Sequence, residues 1–421
     1  MQTHEIEVLP AGTSSTGAGL TFAWSTKDVS SADLASTMTW DLGEFAAAPV
    51  VARDLFRIAA AAYLADTAIA KPGVSLHRNF ELTVHVEHPS SWSGSPISDF
   101  ADILHWLTGD SWSIILKPAT ARLPLAVSEP AARVQLLSGG LDSLCGAVIG
   151  LRDSAADVRF VGHRDASKAV RRAQNAIADA IGGHPYDRYE LYVRDSKRRK
   201  NHGPRSRSLM FMALGVMTAA AHSAPELWVP ENGFTSINPP LDAGRGGALT
   251  TRSTHPYTFH LLSRLLTTLL IDVVVINPFT NLTKGQLVAA ALPELMSDQY
   301  RDSATTSFSC AKGGTQFHHG DSNHNCGLCV ACVVRRAAFL GAGIDDPTPY
   351  DCELLDGADL AGLIKQRWRD VISLRDVFAY GIEEDAILSA TVWPPDTDLD
   401  AVLQLVDRGL EELRRVPLPA P

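Results

Sequence analysis

The chain has 421 residues, 45% of them hydrophobic, enough for two or three domains with large cores. Its formal net charge of −10 gives no general attraction to nucleic acid or to an anionic membrane, so an anionic ligand must be held by local groups. No run reaches the length of a membrane span, and Met1-Gln2-Thr3-His4-Glu5 lacks the basic and apolar regions of a signal peptide, so a cytoplasmic protein is expected.

Residues 1–125 read as a separate α+β unit. Residues 5–9 and 20–24 alternate like strands, and 45–68 carry an alanine-rich helical pattern with Leu55, Ile58, Ala62 and Leu64 in register. Residues 80–86 alternate again, and 97–107 and 113–116 predict a helix and a strand. His85 and His105 stand alone, which favours structural roles over ligation. The segment 118–130, with Pro118, Pro124 and Pro130, reads as a linker.

From Arg133 onward strands and helices alternate, which predicts an α/β fold with a parallel sheet covered on both faces. Strands are expected from the apolar run 134–137 and at 158–161, 189–193, 226–230 and 273–276, with helices at 166–181 and 208–221. The first strand feeds Ser138-Gly139-Gly140-Leu141-Asp142-Ser143 and then a helical pattern. Gly139 and Gly140 let backbone N–H groups face an anion, Ser138 and Ser143 add hydroxyl donors, and the following helix adds its partial positive charge. No Lys follows the glycines, which separates the loop from the GxxxxGK[ST] and GxGxxG patterns. The competing reading is a turn that only joins strand to helix. Ligands in such sheets sit beyond the carboxyl ends of the strands, which places this loop, Glu231-Asn232-Gly233 and Asn277-Pro278-Phe279 on one rim.

Residues 194–207 hold seven Lys or Arg in fourteen positions. They read as a solvated loop or as an anion clamp whose best-placed member is Arg207, just ahead of a helix. The stretch 232–256, rich in Gly, Pro, Thr and Ser and including Gly244, Gly246 and Gly247, reads as a lid over substrate. Cys310, Cys326, Cys329 and Cys332 follow the spacing C-x15-C-x2-C-x2-C, which suits tetrahedral Zn²⁺; an iron–sulfur cluster is the alternative. His318, His319 and His324 lie in the same loop, but four thiols already complete a site. Such a closed site has a structural role, pinning residues 313–325 against the sheet. Cys145 and Cys352 read as ordinary packed or surface thiols, and residues 351–421 as a C-terminal helical extension.

The six residues 138–143 resemble the SGGxDS pyrophosphate loop of the N-type ATP pyrophosphatases, which split ATP between the α and β phosphates. Further features are Arg207-Ser208-Leu209-Met210-Phe211, Pro278 with Lys284, Cys310, the run Cys326-Gly327-Leu328-Cys329-Val330-Ala331-Cys332, and Asp346-Pro347-Thr348-Pro349-Tyr350. Together they make residues 133–350 similar to the QueC family, the 7-cyano-7-deazaguanine synthases. The resemblance implies an adenine-nucleotide α-hydrolase-like (HUP, PP-loop) core over 130–350, with ATP, Mg²⁺ and one Zn²⁺ as cofactors. It further implies adenylation of the carboxylate of 7-carboxy-7-deazaguanine, capture by ammonia as an amide, and dehydration to the nitrile. On that footing Ser138, Gly139, Gly140, Leu141, Asp142 and Ser143 hold pyrophosphate, and Asp142 orients the loop or Mg²⁺. Arg207 and Lys284 then stabilise charge building on the phosphates.

The departures are large. Ordinary members are about half this length and lack the first 125 residues. Their Asp-Tyr-Gly-Gln segment is replaced by Val161-Gly162-His163-Arg164-Asp165, and their substrate loop by Phe234-Thr235-Ser236-Ile237-Asn238-Pro239-Pro240. Large QueC-like proteins of anti-phage islands of the Qat kind also carry an extra N-terminal domain. That likeness implies transfer of the deazaguanine acyl group to the N-terminal amine of a partner protein, with residues 1–125 docking the partner or serving oligomerisation. Two other readings are a tRNA-thiolating or lysidine-forming enzyme, which the acidic charge argues against, and a subunit that senses nucleotide without turnover.

Overall fold

A computed structural model of the chain describes residues 2–15, 17, 19–27, 33–73, 77–125, 128–153, 157–241, 251–312 and 315–419. The first 125 residues give β1 (Thr3–Pro10), β2 (Leu20–Trp24), β3 (Leu34–Ser36), α1 (Val50–Ala68), β4 (Asn79–Val86), α2 (Ser95–Thr108) and β5 (Ser111–Pro118). Four of these strands form a sheet in the order β2-β1-β4-β5 with every pairing parallel. The expected α+β unit is therefore α/β, because alternation assigns residues to faces and says nothing about strand direction. Helix α1 starts at Val50 and not at residue 45, since Pro49 disfavours helical backbone at the residue before it; residues 43–45 form a 3₁₀ turn instead.

The remainder supplies β6 (Arg133–Leu136), α3 (Leu141–Asp153), β7 (Val158–Arg164), α4 (Lys168–Ile181), β8 (Tyr186–Val193) and α5 (Arg207–Ala221). Then come β9 (Glu226–Trp228), α6 (Gly233–Ile237), α7 (Pro256–Thr268), β10 (Val274–Ile276), α8 (Lys284–Ala290), α9 (Arg301–Thr306) and α10 (Val330–Ala342). The second sheet has the order β10-β9-β6-β7-β8-β3, parallel except for β3, which pairs antiparallel with β8 at the edge. The first segment thus completes the second sheet. The two also share a core, in which Trp40, Phe56 and Tyr63 join Val161, Leu191, Met210 and Leu214. From Ala52 to Ala68 every residue of α1 is buried, and its run of alanines at 59–62 lets α5 pack closely.

Buried charges in this shared region are paired. Asp66, fully buried, accepts from Arg78 at 2.6 Å, from Asn201 at 2.7 Å and from the Ser206 hydroxyl at 2.8 Å. A helix of the first segment therefore anchors the basic run 194–207 at Asn201 and Ser206. Losing one partner of such a buried set costs about 3–5 kcal/mol.

The C-terminal region is helical: α11 (Asp351–Leu354), α12 (Gly357–Tyr380), α13 (Glu384–Ser389) and α14 (Leu399–Leu413). Leu405, Val406, Leu410 and Leu413 of α14 pack on Val333, Val334 and Ala337 of α10. The start of the expected lid stretch is the short helix α6, and the lid glycines Gly244, Gly246 and Gly247 lie outside the described residues, as does Gly313. Among the described residues no helix is long and apolar enough to cross a membrane.

Candidate active site

Strand order reverses between β6 and β9, and the crevice at such a reversal is where open α/β sheets bind ligands. The loop 138–143 leaves β6 there and enters α3, while Glu231 and Asn232 follow β9. Gly139 has φ +94°, a left-handed conformation that a side chain would strain, and its carbonyl accepts from the Phe308 N–H at 3.0 Å. The Ser138 and Ser143 hydroxyls lie 3.2 Å apart, and Ser143 donates to the Gly140 carbonyl at 2.9 Å. Asp142 sits in the first turn of α3, with Lys284 Nζ 2.8 Å from its Oδ1 and Asn232 Nδ2 2.7 Å from its Oδ2.

Electrostatics separates the acidic groups here. Burial alone would raise the Asp142 carboxyl, but the Lys284 ammonium and hydrogen bonds from Glu231 and Asn232 hold it below the usual range. Burial, and next the Asp142 charge, push Glu231 well above its usual value, so the two neighbouring carboxyls are set apart in proton affinity. Lys284 is raised despite burial, chiefly by Asp142 and then by Glu231, and stays cationic.

Ser138, Gly140, Asp142, Ser143, Glu231 and Lys284 line a cavity of about 400 Å³, together with Phe234, Thr235, Phe308, Ser309, Lys312, Cys329 and Asp370. The cysteine segment forms one wall. Cys310, Cys326, Cys329 and Cys332 place their sulfurs within 4.8 Å of one another, with Cys310–Cys329 at 3.9 Å and Cys326–Cys332 at 3.8 Å. Four bonds of about 2.3 Å to a tetrahedral metal require sulfur separations of about 3.8 Å, so the cluster can hold a metal ion. Asn325 accepts from the Ser309 and Cys310 N–H groups at 3.0 and 2.9 Å. Arg335, fully buried, donates to Ser307, Thr348 and the Ala304 carbonyl, tying α9 and the strand of chain before Cys310 to α10. His324 bonds Asp351 and His319 bonds Asp359, while His318 lies against Gly362, so these histidines stand outside the thiol cluster. Cys145 is buried in α3 and Cys352 packs against Gly327.

The structure brings Lys284 to the 138–143 loop but not Arg207. Arg207 bonds Asp165 at 2.6 Å and lines a second cavity of about 320 Å³ with Tyr63, Thr67, Ser167, Tyr192 and Arg199. Gln174 of α4 donates to the Ser138 carbonyl at 3.3 Å and to the His163 carbonyl at 3.1 Å, so one side chain links the 138–143 loop to the strand end that precedes Asp165. Glu231 and Asn232 belong to the segment after β9 that was expected on this rim, and they stand beside Asp142. Lys312 and Asp370 also line the cavity but motif reading does not select them, and Asp370 has no local signal at all.

An 80-residue stretch of the chain matches curated proteins at 38% identity. Over that stretch it is similar to 7-cyano-7-deazaguanine synthases. The matched enzymes come from Brucella ovis, Brucella canis and Brucella suis, and the similarity covers 19% of this chain and 28% of each of theirs. The chain thus spans little more than a quarter of the length of the curated relatives it matches. No family model matches the chain. No solved structure matches it either.

Proposed function

We propose that this chain is an ATP-dependent ligase that adenylates the carboxylate of 7-carboxy-7-deazaguanine and joins the acyl group to an amine, the N-terminal amine of a partner protein. The observation that carries this reading is a single cavity lined by the 138–143 loop, the Asp142–Lys284 pair and a thiol of the metal-capable cluster. Similarity to 7-cyano-7-deazaguanine synthases supports the substrate class. In the first step a carboxylate oxygen attacks the α phosphorus of ATP, the bond to the bridging oxygen breaks, and pyrophosphate leaves into the loop. In the second the amine attacks the acyl carbon, AMP departs, and the amine nitrogen gives up a proton. Lys284 stabilises the charge growing on the leaving phosphates.

Two metals fit this reading. Asp142, in the first turn of α3 beside the 138–143 loop, would orient Mg²⁺ brought in with ATP, and the ion would neutralise pyrophosphate. Zn²⁺ fits the four thiols and fixes the cavity wall without an open coordination position. Partner docking by the first 125 residues and a role in anti-phage defence rest on the likeness to large QueC-like proteins. Similarity to 7-cyano-7-deazaguanine synthases favours a second reading, 7-cyano-7-deazaguanine synthesis with ammonia. Incubation with ATP, 7-carboxy-7-deazaguanine and either ammonia or proteins encoded beside this one decides between them. Pyrophosphate release with a deazaguanine-sized mass gain at one N-terminus is expected. Free nitrile without any mass gain selects the synthase, and no pyrophosphate in either case defeats both.

A further inference from the structure

Successive carbonyls at the exit of β6 are each claimed by a donor. The Leu137 carbonyl accepts from the Tyr186 hydroxyl of β8 at 2.7 Å, and the Ser138 carbonyl from Gln174 Nε2 of α4 at 3.3 Å. The Gly139 carbonyl accepts from the Phe308 N–H at 3.0 Å, and the Gly140 carbonyl from the Ser143 hydroxyl at 2.9 Å. Tyr186 reaches Leu137 past β7, the strand between β8 and β6. It passes at Gly162, where a Cβ would stand 2.9 Å from the hydroxyl and 3.1 Å from the Leu137 oxygen. Gln174 is fully buried and its amide is oriented by further partners, since Oε1 accepts from Arg164 Nε at 3.1 Å while Nε2 also donates to the His163 carbonyl at 3.1 Å.

A planar trans peptide points each carbonyl away from the N–H of the next residue. Fixing the carbonyls of residues 137–140 therefore fixes the N–H groups of residues 138–141 in the opposite sense. The Ser138 N–H meets Ser143 Oγ at 3.2 Å and the Gly140 N–H meets Ser138 Oγ at 3.3 Å, so these peptides also orient the two hydroxyls that line the cavity. Among the described residues the Gly139 and Leu141 N–H groups meet no acceptor. Successive N–H groups held in this way make a concave set of donors for an anion. We propose that Gln174 and Tyr186 are positioning residues for pyrophosphate, holding the 138–143 loop with its donors turned to the anion before it arrives. Donors fixed in advance need no reorganisation as charge develops on the leaving group. This assignment rests on the reading of the chain as an ATP-dependent ligase and adds two side chains, both outside the loop, that set its geometry.

Calorimetric titration of the full chain with inorganic pyrophosphate and Mg²⁺, well below the melting temperature, tests it, together with the rate of pyrophosphate release from ATP and 7-carboxy-7-deazaguanine. Tyr186→Phe keeps the ring and removes only the donor, and should bind pyrophosphate about two- to tenfold more weakly, the worth of one hydrogen bond. Gln174→Glu keeps the shape and the Arg164 partner but sets an acceptor against the Ser138 carbonyl, and should lose about tenfold or more. In both variants kcat should fall by a larger factor than KM for ATP rises. Side chains that only hold the fold together would lower the melting temperature and leave pyrophosphate affinity and kcat as in wild type. That result in folded Tyr186→Phe and Gln174→Glu chains overturns the assignment and leaves the ligase reading standing. Should Gln174→Glu not fold, Tyr186→Phe decides by the same measure. Wild type that neither binds pyrophosphate nor releases it from ATP defeats the ligase reading and this inference with it.

Discussion

Glu412 of α14 accepts a hydrogen bond from the Gly285 N–H at 3.0 Å and another from the Thr283 hydroxyl, the residues on either side of Lys284. A carboxylate at the start of α8 complements the orphan N–H groups there, and Thr283 with Gln286 adds a capping box. The C-terminal helix thereby sets the position from which Lys284 reaches Asp142. Glu412→Ala should cost about 1 kcal/mol of stability, since the capping box survives. It should also lower pyrophosphate release roughly tenfold through misplacement of Lys284. Glu412→Gln, which keeps an acceptor, should recover part of the rate. Equal rates in wild type and Glu412→Ala would show that α8 holds Lys284 unaided.

Ser138→Ala and Lys284→Ala should each reduce pyrophosphate release about a hundred- to a thousand-fold, the usual loss of about 2.7–4 kcal/mol when a charge-stabilising donor is removed. Ser138→Ala should melt like wild type, because among the described residues the Ser138 hydroxyl bonds within its own loop. Lys284→Ala should also lower the melting temperature, because it strands a buried Asp142. Rates within twofold or so of wild type in both variants would reduce the loop to a turn.

Purified chain should carry about one Zn per molecule, read by elemental analysis. Cys329→Ser should lower metal content and melting temperature together, as its sulfur belongs to both the cluster and the cavity wall. Iron in place of zinc would assign the thiols to a cluster instead.

Acid should destabilise the fold before carboxylates titrate. Burial, and then Arg252, push His255 down to about 3; burial, and then Arg207, push His163 down to about 4. In both cases the unfolded chain binds more protons below about pH 6.5, so stability falls as pH drops from there toward the folded values. Each histidine accounts for up to about 2 kcal/mol between pH 6.5 and 5, at about 1.36 kcal/mol per unit. His255 Nδ1 accepts from the Tyr257 N–H and caps α7, with Trp106 and Trp393 rings 5.5 and 5.0 Å away. His255→Asn keeps a capping oxygen without the titration. Urea unfolding at pH 7 and pH 5 should show a smaller loss in the variant, and an equal loss would place the acid sensitivity elsewhere.

How much of this was legible depended on distance along the chain. The loop 138–143 and the thiol spacing are local patterns with chemical meaning, and reading them locates the site on the rim where β6 ends. Strand β3 passed unread because three residues, Leu34-Ala35-Ser36, are too few to display a period. Arg207 was expected at the phosphates because it precedes a helix, but Asp165 claims it at 2.6 Å, an ion pair no local pattern announces. Asp370 and Glu412 lie more than 200 residues from the 138–143 loop and reach the candidate site only through packing of α12 and α14. Single-chain periodicity carries no record of such meetings.

The pairing of Leu34 with Val193 also sets an order of events during synthesis. The edge strand β3 leaves the ribosome long before β8 exists, and at roughly 5–20 residues per second it waits on the order of ten seconds or more for its partner. Until then Leu34 and the apolar faces of α1 that later meet α5 have nothing native to cover them. Nascent chains stalled between residues 125 and 190 should therefore bind holding chaperones, and release should coincide with emergence of β8 and α5.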